Sequence, residues 1–379
     1  MKKILAILMA LTMVLSLAAC AAPAATTEEP AAEEPAAEEP AAEEPAAEEP
    51  AAEEPAAEAQ SFKLACVIPS GDHGFTGESV AHCKMEAEAL MEKYDGLEVV
   101  VKDGLEASDQ ITSIENLIAG GDVDMIMLWP MEGEALRSAA QTIIDAGIEL
   151  VVYDRLINDF EGLVGEIMGD NYGIAQQMGE WLNTYYADYT DVQYLRFVGD
   201  SSTVTAQRSD GMDAVIDPKF EQVAETFVTD WSTEKAQGLM EEWLNAHTAE
   251  EVAELDLIVT HDDEIVDGLM NALDAYTGGE LNIKVITSVG GREDTLQKFE
   301  NTKTGIQFTT FYFAPSFIRE AMRLCVAHLY GEEYTGANLV DGQYLIPSFS
   351  ISNAGGADET FESYRASDIY AERYSIGNF

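Results

Sequence analysis

Short apolar runs alternate with longer amphipathic runs from residue 61 onward. Apolar runs of about four to eight residues between polar turns are typical of buried strands, and apolar positions three or four apart are typical of helices. The short runs predict strands at 62–69, 97–102, 123–129, 149–154, 163–168, 192–198, 222–228, 255–260, 283–288 and 305–311. The longer runs predict helices at 76–94, 132–147, 172–187, 233–247, 263–276 and 315–330.

This alternation of strand and helix predicts parallel sheets that are covered by helices on both faces. Residues 61–379 are too many for one hydrophobic core, so the predicted fold class is α/β with two doubly wound parallel-sheet lobes. Ligands bind such sheets outside the carboxyl ends of the strands. The residues directly after each strand are therefore the candidates for a binding site.

The first 20 residues have the pattern of a signal peptide. Lys2 and Lys3 precede an apolar run, 4–19, which ends in the sequence Leu-Ala-Ala-Cys at Cys20. That order resembles a bacterial lipobox, in which Cys20 would be lipidated after cleavage just before it. A secretory signal with a chance cysteine and a short membrane anchor are the alternatives. We expect an extracytoplasmic protein that is attached by this lipid to the outer face of the cell membrane.

Residues 21–60 have the composition of a disordered tether. The unit Ala-Ala-Glu-Glu-Pro repeats without a break from residue 31 to residue 55. A proline at every fifth position blocks a continuous helix, and like charges extend the chain. Fully extended, the segment would span about 120 Å at ~3.1 Å per residue. It is predicted to hold the folded part away from the membrane; a disordered tail without a spacing role is the alternative.

Charge and cysteine content exclude several classes of function. The two lysines of the signal segment and the thirteen glutamates of the tether leave −39 of the total charge of −50 on residues 61–379, which repels nucleic acid. Besides Cys20 the chain has Cys66, Cys83 and Cys325, an odd number that cannot form a complete disulfide framework. Cys66 and Cys325 lie in apolar runs and are expected to pack in the core. No histidine–cysteine spacing suits a metal, so neither a metal nor a cofactor is predicted.

The segments after the predicted strands are rich in aromatic, carboxylate and arginine side chains. They are residues 70–75, 129–130, 154–155, 169–172, 230–231, 261–263 and 289–291. A sugar requires this mixture, because its hydroxyls both donate and accept hydrogen bonds and its C–H faces pack on aromatic rings. Asp154 and Arg155 are the strongest candidates for ligand contacts. An ion pair between sequence neighbours would contribute little to stability, so a structural role alone does not explain two charges at the end of a buried strand.

The sequence Tyr153-Asp154-Arg155 at a strand end resembles the type I periplasmic-binding-protein family, the sugar-binding subunits of ABC importers. The resemblance extends over about residues 62–345 and includes the segments 206–211 and 230–232. It implies three crossings near 168–170, 310–312 and 345–350, which join a first lobe (61–168 plus 311–346) to a second (169–310 plus 347–379). It also implies ligand contacts at Asp72, His73, Phe75, Trp129, Asp154, Arg155, Arg208, Trp231, Asp262, Gly290 and Thr310.

Two positions depart from the family pattern. Trp129 stands where the family often has asparagine, and Gly290 stands where the family has a sugar-binding aspartate. The sequence is most similar to a branch that combines a His-Gly-aromatic first loop, here 73–75, with a Gly-Gly pair, here 290–291. These departures predict a ligand that is bulkier or less polar than ribose.

The sequence therefore predicts a binding protein and not an enzyme. We expect a monomeric lipoprotein that captures a monosaccharide or related polyol in the cleft between its lobes and delivers it to an ABC permease. One alternative is a receptor that presents an autoinducer or a nucleoside to a sensor kinase. The other is a nucleotide-dependent enzyme, because Gly71, Gly74 and Gly77 follow a strand, although their spacing differs from the G-x-G-x-x-G of dinucleotide-binding loops.

Overall fold

The computed structural model describes residues 60–71, 74–302 and 304–370. These residues belong to one unit of the chain, 57–379. The predicted signal peptide, its lipidated Cys20 and all of the predicted tether except Gln60 lie outside the described residues. Within the described ranges, no helix is both long enough and apolar enough to cross a membrane.

The first lobe contains a seven-stranded sheet. Its strands are β1 (Phe62–Pro69), β2 (Leu97–Gly104), β3 (Met125–Leu128), β4 (Glu149–Tyr153), β5 (Gly165–Gly169), β12 (Asn338–Val340) and β13 (Gln343–Ile346). They lie in the order β2-β1-β3-β4-β5-β13-β12, and every neighbouring pair is parallel except β12 and β13. Packed with this sheet are α1 (Gly74–Lys93), α2 (Ala107–Gly120), α3 (Gly133–Asp145) and α10 (Phe317–Tyr330).

The second lobe also contains a mostly parallel sheet with helices between its strands. Its strands are β6 (Val192–Val198), β7 (Phe220–Gln222), β8 (Phe227–Val228), β9 (Leu257–Thr260), β10 (Val285–Gly290), β11 (Gln307–Tyr312), β14 (Ser350–Ser352) and β15 (Glu359–Thr360). They lie in the order β7-β6-β9-β10-β11-β14-β15, with β8 also paired to β6 and β14 antiparallel to β11. The helices that follow these strands or precede them are α4 (Asn171–Tyr185), α5 (Thr203–Asp213), α6 (Thr233–Ala246), α7 (Ala249–Ala253), α8 (Asp263–Ala275), α9 (Glu293–Asn301) and α11 (Phe361–Arg365).

The central strands are buried on both faces, as the continuous apolar runs predict. All four residues of β3 and all four of β9 are buried. Each large apolar side chain removed from water in this way contributes about 1.5–3 kcal/mol, so the helices are held on both faces of each sheet. Cys66 and Cys325 are buried in the first lobe with unpaired thiols, which confirms their predicted place in the core.

Three chain segments connect the lobes, between β5 and α4, between β11 and α10, and between β13 and β14. These segments are hydrogen-bonded to one another: the amide of Asp170 donates to the carbonyl of Ile346 (3.3 Å), and the amide of Tyr312 donates to the carbonyl of Phe349 (2.9 Å). The predicted fold class, two doubly wound parallel-sheet lobes, is therefore confirmed.

The strand predicted at 222–228 is wrong. The chain there forms two short strands, β7 and β8, which pair with different parts of β6. Between them the side-chain amide of Gln222 donates to the carbonyl of Ala224 (2.8 Å) and to the hydroxyl of Thr226 (3.1 Å). This local hydrogen bonding turns the chain where the apolar pattern alone suggested one continuous strand.

Candidate functional site

A cavity of about 490 Å³ lies where the carboxyl ends of both sheets face each other. The first lobe contributes Ser70, Gly71, Gly74, Phe75, Thr76, Leu105, Trp129, Asp154 and Arg155. The second lobe contributes Val204, Arg208, Trp231, Asp262 and Glu264, and Phe313 follows β11 at a crossing. Doubly wound sheets bind ligands at this edge, next to the point where the strand order reverses.

The structure brings seven of the predicted site residues together in this cavity. They are Phe75, Trp129, Asp154, Arg155, Arg208, Trp231 and Asp262. Their contact with a ligand remains a prediction. Asp72 and His73 lie outside the described residues.

Asp154 directly follows β4 and has a left-handed backbone conformation, with φ at 63°. This backbone geometry directs the carboxylate toward the cavity, where the indole nitrogen of Trp129 donates to its Oδ2 (3.0 Å). Burial raises the pKa of Asp154, and the nearby charges of Arg155 and Arg208 lower it. No described residue is bonded to Oδ1, so that oxygen can accept a hydrogen bond from a ligand hydroxyl.

Arg155 connects the two lobes. Its guanidinium donates to the carbonyl of Met131 in the first lobe and pairs with Asp200 of the second lobe (3.4 Å). The adjacent amide of Leu156 donates to the hydroxyl of Thr203, also in the second lobe (3.2 Å). The hydrogen-bonding capacity of Arg155 is therefore divided between the protein and the cavity.

Arg208 is the buried cation of the second lobe. Its Nε donates to the side-chain oxygen of Asn171 (2.9 Å), a second nitrogen donates to the carbonyl of His261, and its plane lies 4.6 Å from the ring centre of Phe313. Burial lowers the pKa of Arg208 to about 10, against the attraction of Asp262 and Asp154. The guanidinium therefore stays charged at neutral pH, and its remaining N–H groups can donate to a ligand.

Asp262 is the N-cap of α8, and its Oδ1 accepts from the amide of Glu264 (2.7 Å). Asp262, and not its neighbour Asp263, therefore caps this helix. Burial raises the pKa of Asp262 to about 8, and repulsion from Glu264 and Asp263 adds to that shift. At neutral pH its carboxyl group is mostly protonated, so it can donate as well as accept a hydrogen bond.

This raised pKa predicts a stability that falls with rising pH. The unfolded carboxyl titrates near 3.9, so between about pH 4 and pH 8 the folded state holds a proton that the unfolded state has lost. The contribution of Asp262 therefore weakens through that window, by at most about 1.4 kcal/mol per pH unit. The variant Asp262→Asn, which keeps a good N-cap, should remove this dependence. Urea unfolding measures this effect. The free energy of unfolding of Asp262→Asn, relative to that of the wild type, should increase as pH rises. If the difference between the two proteins stayed constant with pH, the raised pKa of Asp262 would be contradicted.

Trp231 forms one wall of the cavity, and its backbone has a left-handed conformation that is uncommon for a large residue. Asp230 and Trp231 both have positive φ values, 51° and 61°. The indole then lies against Gly199, where a Cβ atom would be only 2.1 Å from the ring. Glycine at this position is therefore required for the aromatic wall.

Gly290 and Thr310 are not among the residues that line the main cavity. Asp263 is fully buried beside them and accepts from the amides of Gly291 (2.7 Å) and Arg292 (2.8 Å) and from the hydroxyl of Thr310 (2.9 Å). A Cβ atom at Gly290 would lie 2.5 Å from the Asp263 carboxylate, so glycine makes room for that group. In the structure both residues lie around Asp263, and their contact with a ligand stays a prediction.

Outside the segment 70–76 that follows β1, sequence reasoning missed four lining residues. Leu105 follows β2 and Phe313 follows β11, so inspection of every strand end could have found both. Val204 and Glu264 lie in the first turns of α5 and α8, where no pattern indicates a site. Glu264 accepts from the amide of Phe75 in the first lobe (2.8 Å) and pairs with Arg292 (3.0 Å), so it helps to close the cavity.

The cavity can hold a polyhydroxylated molecule by hydrogen bonds and ring packing. Asp154, Arg208 and Asp262 offer acceptors and donors, and Phe75 and Trp231 offer aromatic surface. Among the described residues there is no group of three or more histidine, cysteine, aspartate or glutamate side chains that could hold a metal ion.

Comparison with known proteins gives a consistent assignment. The sequence model of the family described as "Periplasmic binding protein domain" matches residues 64–333. The chain is 28% identical over 211 residues to a D-xylose-binding periplasmic protein of Haemophilus influenzae, a match that covers 54% of this chain and 59% of that protein. The chain therefore spans less than two thirds of this relative's length.

Solved structures share the fold at low identity. One is the periplasmic binding protein component of the arabinose ABC transporter from Shewanella sp. ANA-3, with bound arabinofuranose (TM-score 0.65, 20% identity, 84% of this chain and 99% of that chain). Another is a fructose-binding periplasmic domain of a hybrid two-component system (TM-score 0.65, 18% identity, 83% and 97%). At these identities the likeness concerns the fold alone.

Proposed function

The chain belongs to the periplasmic binding protein domain family, and on that premise we propose that it captures a monosaccharide or related polyol between its two lobes. The observation that carries this proposal is the cavity itself, in which a buried carboxyl group, a half-buried carboxyl group and a buried guanidinium lie beside aromatic rings. Hydroxyl groups both donate and accept, so they suit this set of partners. The names of the D-xylose-binding relative and of the arabinose-binding structure support the same class of ligand.

We further propose that ligand binding closes the lobes and that the closed form docks on an ABC permease. Three hydrogen-bonded crossings suit a hinge, since a few residues at element ends absorb such motions. Lipidation at Cys20 would keep the protein on the outer face of the membrane, and we expect a monomer. The second candidate is presentation of the ligand to a sensor kinase, which the similarity to the two-component-system domain favours.

A thermal-shift screen tests the proposed ligand class. The probes are D-xylose, D-ribose, L-arabinose, D-fructose and myo-inositol. A ligand at about 100 times its dissociation constant adds about 2.7 kcal/mol to the free energy of unfolding. For a folded part of about 310 residues, with an unfolding entropy of ~2.1 cal/mol/K per residue, that corresponds to a rise in Tm of roughly 4 °C. A flat response to every sugar and polyol would contradict the proposal.

Tryptophan fluorescence provides an independent prediction. Trp129 and Trp231 line the cavity, whereas Trp181 and Trp243 pack within helices α4 and α6. A stabilising sugar should therefore change the tryptophan emission of the wild type. The change should shrink in Trp231→Phe and in Trp129→Phe but persist in the control Trp181→Phe. Unchanged emission on saturation would show that the ligand does not reach the two indoles.

A further inference from the structure

The cavity has more apolar surface than a free monosaccharide can use. Resting on the proposed function, we propose that the preferred ligand is a monosaccharide with an apolar substituent, that is, an alkyl or aryl glycoside. Its sugar ring would lie against the buried side chains of Asp154 and Arg208 and the half-buried side chain of Asp262. Its substituent would lie against Leu105 at the cavity mouth.

The size of the cavity supports this ligand class. Its volume of about 490 Å³ lies within the usual range for drug-sized ligands, roughly 300–1,000 Å³. A monosaccharide, with about a dozen non-hydrogen atoms, is smaller than a drug-sized ligand. A free sugar would therefore leave room in the cavity.

Besides the three groups that would hold the sugar, the polar side chains of the lining are Ser70, Thr76, Arg155 and Glu264, and the last two are engaged within the protein. Arg155 is bonded to the carbonyl of Met131 and to Asp200, and Glu264 is bonded to Arg292 and to the amide of Phe75. Asp154 and Asp262 each have one oxygen bonded within the protein. A polar ligand group without a partner costs free energy on burial, so a second polar ring fits this lining poorly.

Apart from its polar side chains, the lining of the cavity is largely apolar, and its apolar side chains come from both lobes. The apolar side chains that line the cavity are Phe75, Leu105, Trp129, Val204, Trp231 and Phe313. This surface suits a hydrocarbon or aromatic substituent, because burial of apolar area is favourable in proportion to that area.

Leu105 identifies where such a substituent would lie. Its side chain is 75% exposed although it lines the cavity, so it belongs to the mouth. Single exposed leucines are ordinary, but this one is fixed in place: its amide donates to Asp109 (3.0 Å), and the carbonyl of the preceding Gly104 accepts from the amide of Ser70 (2.7 Å). A substituent that leaves the cavity at this point would remove the solvent-exposed side chain of Leu105 from water.

Matched pairs of probes test the inference by isothermal titration calorimetry. The pairs are D-xylose with phenyl β-D-xylopyranoside, L-arabinose with phenyl α-L-arabinofuranoside, and D-glucose with phenyl β-D-glucopyranoside. In at least one pair the glycoside should bind the wild type about 10-fold or more tighter than its free sugar, the discrimination expected of small apolar contacts. Leu105→Ser should reduce that advantage several-fold.

The control is Leu339→Ser, which changes a leucine of similar exposure (63%) in the edge strand β12, outside the set of cavity residues. It should alter neither affinity. Free sugars that bind as tightly as their glycosides, or more tightly, would overturn this inference and leave the proposed function standing. Failure of both members of every pair to bind would also overturn this inference, whereas the proposed function falls only if the thermal-shift screen is flat as well.

Discussion

The variant Asp154→Asn is expected to weaken sugar binding about 10- to 150-fold. Hydrogen bonds to a charged group contribute about 1.5–3 kcal/mol, which corresponds to that range of affinity. Asparagine tolerates the left-handed backbone of Asp154 and its amide oxygen can still accept from Trp129, so the fold should remain. Titration calorimetry with the sugar that gives the largest thermal shift measures the loss.

The matched control for this variant is Asp188→Asn, which makes the same change at an exposed position. Asp188 follows the far end of α4, about 20 Å along that helix from its first residue, Asn171. Its affinity for the sugar should equal that of the wild type. Near-native affinity in Asp154→Asn itself would refute the role of this carboxylate in binding.

The variant Asp263→Ala is expected to lower the free energy of unfolding by about 3–5 kcal/mol. The fully buried carboxylate accepts from two amides and one hydroxyl, which belong to Gly291, Arg292 and Thr310. Each buried donor left without a partner costs about 1–3 kcal/mol. The loss should therefore loosen the carboxyl ends of β10 and β11 together, and urea unfolding at neutral pH measures it.

The control Asp274→Ala lies on the same helix, α8, at an exposed position with one hydrogen bond, to the hydroxyl of Thr302. Exposed substitutions of this kind change stability by about 0.5 kcal/mol or less. If Asp263→Ala were as mild as this control, the three contacts would not hold the strand ends together.

Much of the fold could be predicted because buried parallel strands have continuous apolar sequences. The runs at 125–128 and 257–260 show this directly, and the rule that ligands lie after strands led to Trp129, Asp154 and Asp262. The apolar pattern did not predict that the chain at 222–228 forms two short strands in place of one. The side-chain hydrogen bonds of Gln222 turn the chain between them.

The finer geometry of the site depends on contacts between distant segments. The sequence places Asp262 and Asp263 side by side, but it does not show that one caps α8 and the other binds Gly291 and Arg292. Gly290 was assigned by resemblance, whereas its lack of a side chain makes room for Asp263. The contact of Glu264 with the amide of Phe75 joins residues 189 positions apart, which no local pattern encodes.

The contacts between the lobes explain how the cavity becomes enclosed. Arg155 with Asp200, Leu156 with Thr203, and Phe75 with Glu264 each join one residue of the first lobe to one of the second. All three pairs include or adjoin cavity residues. The contacts between the lobes and the lining of the cavity therefore share residues, which is why we propose that a ligand stabilises a closed arrangement.

A crystal structure of the wild-type protein with the most stabilising sugar tests the central claim most directly. We predict that the sugar lies between the lobes, with hydroxyls within about 3.2 Å of Asp154, Arg208 and Asp262 and a C–H face on Phe75 or Trp231. A sugar bound elsewhere, or bound in the cavity without a hydrogen bond to any of those three side chains, would contradict the account.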